Sequence, residues 1–173
     1  MSARAHGFSL IQLLIIVAIT AIIASQSVQS FSAMLKAVEL KGAVQLVYFQ
    51  IQAARHQAVA TQQDIQLDIV DGQHWCIGIT DQTTCDCQSP QSCTVDGVEK
   101  VTSFDEFRFV ELAASTFANN NQSRFSPPRG LAQGYAGSVT LTNAEQDFKV
   151  IVSNTGRVRI CSLTQAIPPY PEC

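Results

Sequence analysis

Six cysteines and two closely spaced arginines are the side chains in this sequence with the most chemistry to offer. The cysteines are Cys76, Cys85, Cys87, Cys93, Cys161 and Cys173. Four of them crowd into residues 76–93, where Cys85-Asp86-Cys87 could be read as half of a zinc site. Structural zinc sites space their paired cysteines by two to four residues, and this pair is spaced by one. Disulfides are therefore the expectation, with no metal and no cofactor. Cys161 and Cys173 bracket a proline-rich tail, Ile167-Pro168-Pro169-Tyr170-Pro171-Glu172, that cannot enter a sheet interior, and a bridge between them would tether it. For the other four, Cys76–Cys85 with Cys87–Cys93 is the preferred pairing, and Cys76–Cys87 with Cys85–Cys93 the alternative. Either would staple the loop 83–94 to a strand at 75–80.

The arginines lie in Gly156-Arg157-Val158-Arg159. Two residues apart on a strand, they share one face at about 7 Å, close to the spacing of successive phosphates along a DNA strand. Val158 and Ile160 then face the core. Lys149, Arg124 and Arg129 are the bases available to support such a contact. Other chemistry is not legible. His6, His56 and His74 are scattered, and no nucleophile pattern, phosphate-binding glycine loop or H-E-x-x-H motif is present, so an enzyme is not expected. The acids between Asp64 and Glu106 lack calcium-loop spacing.

These side chains need elements to hold them. The chain has 173 residues, 46% hydrophobic and only 14% charged, against about 25% charged in an ordinary soluble domain. The deficit is local, because no charged residue or histidine occurs from Gly7 to Leu35. Fourteen of the eighteen residues from Phe8 to Ser25 are apolar. A bilayer core takes about 20 helical residues, so this run can span one, and the basic flank with Arg4 and His6 would place the N-terminus in the cytoplasm. Beyond it, Leu40, Val44, Val47, Ile51, Ala54 and Ala58 form a single helical stripe. No proline interrupts Phe8 to Ala60, which predicts one long helix; a break near Ser25–Ser32 is the alternative.

After Thr61 the period changes to two. Asp64–Ile69 alternates strictly, and Trp75–Ile79 follows across the hairpin dipeptide Asp71-Gly72. Further strands are expected at Glu106–Val110, Gln122–Phe125, Ser138–Asn143, Phe148–Ser153 and Arg157–Ser162, with a tight turn at Asn154-Thr155-Gly156. The expected fold is α+β, a long N-terminal helix packed on a mainly antiparallel sheet domain. The formal charge of −3 is unevenly divided: residues 64–106 carry nine acids and one base, and residues 107–173 carry six bases and four acids. A wholesale polyanion binder is not expected, while the last third has the bases for a local basic patch.

Gly7-Phe8-Ser9-Leu10-Ile11-Gln12-Leu13-Leu14 resembles the prepilin motif of type IV pilins and type II secretion pseudopilins. The order of Arg55-His56-Gln57-Ala58-Val59, Trp75-Cys76-Ile77-Gly78, Phe125-Ser126-Pro127, Gly137–Leu141 and Gly156–Arg159 is similar to the GspH/FimT/FimU group of minor pilins and pseudopilins. The resemblance implies cleavage by a prepilin peptidase between Gly7 and Phe8 and methylation of Phe8. It implies a leader at 1–7, a membrane or filament-core helix at 8–35, its amphipathic continuation at 36–63 and a globular domain at 64–173. The family usually carries Glu at the fifth mature position, and this chain has Gln12. In the family that carboxylate neutralises a neighbouring subunit's N-terminal amine, so its loss points to a rare, non-shaft subunit. The implied protein is a minor type IV pilin at low copy near a pilus tip, with a GspH-like type II secretion pseudopilin as the rival. Its implied partners are other pilins, the prepilin peptidase, the inner membrane and, in the FimT-like branch where G-R-x-R is associated with transformation, double-stranded DNA. The implied location is the bacterial inner membrane with the C-terminal domain in the periplasm, then the pilus at the cell surface.

Overall fold

The computed structural model describes residues 9–117 and 121–173, with the backbone alone at 26–30. Gly7 and Phe8 lie outside the described residues. One helix, α1, runs Leu10–Thr61 without the break that the Ser/Gln-rich stretch would have allowed. By its contacts the chain divides into two units between Leu35 and Lys36.

In the first unit the helix carries apolar side chains on every side between Leu10 and Ala24. Leu10, Ile11, Leu13 and Leu14 are 57–77% exposed, and Gln12 is exposed among them. Among the described residues no helix is long and apolar enough to cross a membrane.

The second unit is built around the helical stripe. Leu40, Val44, Val47, Ile51, Ala54 and Ala58 are all fully buried. They pack with the inner faces of two four-stranded antiparallel sheets into one hydrophobic core. The first sheet comprises β1 (Ile65–Val70), β2 (Cys76–Thr80), β5 (Val101–Ser103) and β7 (Gln122–Phe125), in the order β5-β2-β1-β7. The second comprises β6 (Glu111–Ser115), β8 (Gly137–Thr142), β9 (Asp147–Val152) and β10 (Val158–Ser162), in the order β10-β9-β8-β6. A small hairpin of β3 (Thr94–Val95) and β4 (Val98–Glu99) completes the set. Strict alternation in β1 and β9 places every second residue in the core, as period-two patterning requires.

The strand expected at Glu106–Val110 is not one. Phe104–Glu106 forms a 3-10 turn, and the strand falls one segment later, at Glu111–Ser115. Phe107 and Phe109 alternate with charged neighbours and so imitate a strand. Phe107 instead stacks on Trp75, with centroids 6.3 Å apart, and the Phe109 N–H donates to Glu39 of α1. The fully buried Trp75 donates its indole N–H to the Val110 carbonyl, which fixes this corner.

Candidate functional site

Two constellations stand out in the second unit, the disulfide-bridged cysteines and the arginine-bearing end of the second sheet. All six cysteines are in disulfides. The bridges are Cys76–Cys87, Cys85–Cys93 and Cys161–Cys173. The tail bridge matches expectation, and the loop is stapled to β2 as anticipated. The preferred pairing of the other four is overturned in favour of its alternative. The cause lies in Asp68 on β1, whose carboxylate accepts the Cys87 N–H at 3.1 Å and holds Cys87 over β2 within reach of Cys76. Cys93 returns against Gly78, where even one added carbon would collide with its sulfur.

The acids of this region have a structural use that composition alone did not reveal. Asp81 accepts the Asp96 N–H, Glu99 accepts the Gln91 N–H, and Asp86 accepts from Ser89 and Gln88. The Ser89 hydroxyl, and then the Gln88 N–H, hold the Asp86 carboxyl below the usual carboxylate range. These carboxylates satisfy turn amides that no strand would pair.

The Gly156-Arg157 turn is the second constellation. Ser153 N–H donates to the Arg157 carbonyl, and Gly156 N–H donates to the Ser153 carbonyl. Gly156 takes φ +77°, and its missing side chain lets the turn close directly on the Gly130 carbonyl of the loop 126–131. Arg55 of α1 reaches the same place, its Nε 3.3 Å from the Gly130 carbonyl and its Nη2 3.4 Å from that of Arg129. One guanidinium thus ties the helix to the loop, and the Gly156 turn closes on that same loop carbonyl. The sequence brings Arg55 forward only within the Arg55–Val59 run that resembles the GspH/FimT/FimU group, and nothing in its spacing points to this junction.

Arg157 and Arg129 are both exposed, each next in sequence to one of the two glycines that meet at this junction. Arg159 is exposed on β10, opposite Ile151, and Lys149 lies two residues further along β9, opposite Cys161. Arg157, Arg159 and Lys149 therefore share the outer face of the second sheet, while Val158 is buried and Ile160 packs against the core. Arg124 is not part of this group. It sits on β7 in the other sheet, 3.8 Å from the Asp64 carboxylate and 4.5 Å over the Tyr135 ring.

A helix laid on antiparallel sheets, with three disulfides in the sheet domain, makes this an α+β protein. The family model for type II transport protein GspH matches residues 43–156, and the chain belongs to that family. The family is one of structural pseudopilins, which gives this chain a minor pseudopilin or pilin-like role in a type II secretion or pilus system. No curated protein and no solved structure matches the chain.

Proposed function

We propose that this chain is a minor pilin, made as an inner-membrane precursor and incorporated at low copy into a pilus, with its globular domain outside the cytoplasmic membrane. A prepilin peptidase cuts between Gly7 and Phe8, and residues 8–35 anchor the precursor and then join other pilins in the filament core. The observation that carries this reading is the apolar helix from Leu10, exposed on all sides, which needs either lipid or neighbouring helices to cover it. The uncharged run from Gly7 to Leu35 supports the same reading. Gln12 cannot carry the charge that pairs with a neighbour's amine, which suits a subunit present in few copies. The second reading is a type II secretion pseudopilin, favoured by the name of the matching family. Deletion of the gene separates the two: loss of piliation and DNA uptake supports the pilus, and loss of protein secretion alone overturns it.

The arginine face adds a ligand to this proposal, the phosphate backbone of double-stranded DNA. Arg157, Arg159 and Lys149 share one sheet face with Arg129 nearby, and few groups there could read base edges. Binding is therefore weak, sequence-independent and sensitive to salt. Arg157→Gln with Arg159→Gln is expected to flatten the dependence of log affinity on log salt by roughly 2 units, at about 0.9 per lost phosphate contact. A titration with labelled duplex at low salt checks this. An unchanged slope in the double variant would remove the DNA role.

A further inference from the structure

The second sheet ends in an edge that is only half covered. β10 is the outermost strand, and its register with β9 fixes where each backbone group points. In an antiparallel ladder, pairs that exchange both hydrogen bonds alternate with pairs whose groups point away. The Leu163 N–H donates to the Asp147 carbonyl, and the Ser153 N–H to the Arg157 carbonyl. Counting by two between them, residues 157, 159, 161 and 163 turn their groups toward β9, and Val158, Ile160 and Ser162 turn theirs to the open edge. Ser162 is taken: its N–H donates to the Pro171 carbonyl and its carbonyl accepts the Cys173 N–H. The C-terminal tail, tethered by Cys161–Cys173, thus adds a short parallel strand at one position only. Val158 and Ile160 have no such partner among the described residues.

The same two residues line a groove of about 470 Å³ between this edge and α1, with Tyr48 and Phe49 on the helix side and Tyr170 at one end. Phe49 is 61% exposed. Among the described residues that line the groove Arg159 is the one with a charge, and Arg157 stands exposed just before the strand.

We propose that this edge is a docking site for an extended segment of a partner protein in which acidic and apolar side chains alternate. Its backbone continues the ladder that the tail begins, pairing with Val158 and Ile160. Side chains on an added strand point alternately to opposite sides. One set then packs on Tyr48 and Phe49, and the other places carboxylates against Arg159. The charge supports this choice, because a groove with one cation and no acid favours an anionic strand over a cationic one.

The test uses the full chain in detergent micelles and a blocked octapeptide of alternating Glu and Val, with the Lys-Val peptide as control. The Glu-Val peptide is expected to bind below about 1 mM and to slow hydrogen exchange at the Val158 and Ile160 amides about tenfold at saturation. Val158→Pro removes one outward donor at the first strand residue without touching the ladder to β9, and should weaken binding about tenfold. Arg159→Glu, at an exposed position, keeps the proposal testable if the proline variant does not fold. It should weaken the Glu-Val peptide about fivefold or more and favour the Lys-Val peptide. Four results would overturn the proposal: no binding at millimolar peptide, binding without protection at the two amides, equal binding of both peptides, or protection that rises with protein concentration alone. The last would assign the edge to a second copy of this chain.

Discussion

Gly156→Ala is expected to destabilise the globular domain by roughly 3 kcal/mol or more, combining left-handed strain with a backbone collision. Gly156 holds φ +77°, and a Cβ there would run into the Gly130 carbonyl and stand 3.0 Å from Arg55 Nε. The carbonyl has little room to retreat, because a Cβ built at Gly130 itself already lies 2.7 Å from Arg55 Cγ and 3.1 Å from Val59 Cγ2. Helix, loop and turn would have to move together. Gly134 supplies the control, with φ +78° and no atom within 4 Å of an added Cβ, so Gly134→Ala carries the strain alone. Chemical denaturation of the two variants should separate them by about 1–3 kcal/mol, the overpacking share. Equal losses would mean that the Gly130–Gly156 contact holds nothing in place.

Reduction should unfold the domain. Three bridges close separations of 11, 8 and 12 residues, and each is worth about 2–4 kcal/mol. Their sum is comparable to the whole stability of an ordinary domain, about 5–15 kcal/mol. The native protein should show no titratable thiol and a mass about 6 Da below that of the reduced chain, the six hydrogens lost when three disulfides form. The single tryptophan gives a direct readout, since Trp75 is fully buried against Phe107 and bonded to Val110. Reductant should shift its emission to the red. Unchanged emission with six free thiols would show that packing alone carries the fold. Cys161→Ser with Cys173→Ser should release only the tail, at a cost of about 3 kcal/mol.

Much of this fold is written in periodicity. The stripe from Leu40 to Ala58 and the alternation at 65–70 and 147–152 bury the residues that their spacing singles out. Long-range geometry is where spacing fails. Cys85 and Cys87 look equivalent along the chain, and only the Asp68 carboxylate, brought in from β1, decides which of them meets Cys76. The segment at 106–110 alternates like a strand, yet Trp75 captures Phe107 and Val110 and delays the strand to Glu111. The arginine site was half legible. Arg157 and Arg159 could be placed on one face by counting, but Lys149 joins them only through the register of β9 with β10, and the withdrawal of Arg124 to Asp64 depends on which sheet its strand joins. The bonds of Arg55 became visible only once the helix met the 126–131 loop.

The central claim is that this chain is a processed, pilin-like filament subunit. Mass spectrometry of the mature N-terminus from the native host tests it most directly. The expected mature chain begins with N-methylated Phe8, and a Gly7→Val variant should stay uncut in the membrane. A mature form starting at Ser25, or a wild-type chain that keeps its first seven residues, would contradict it.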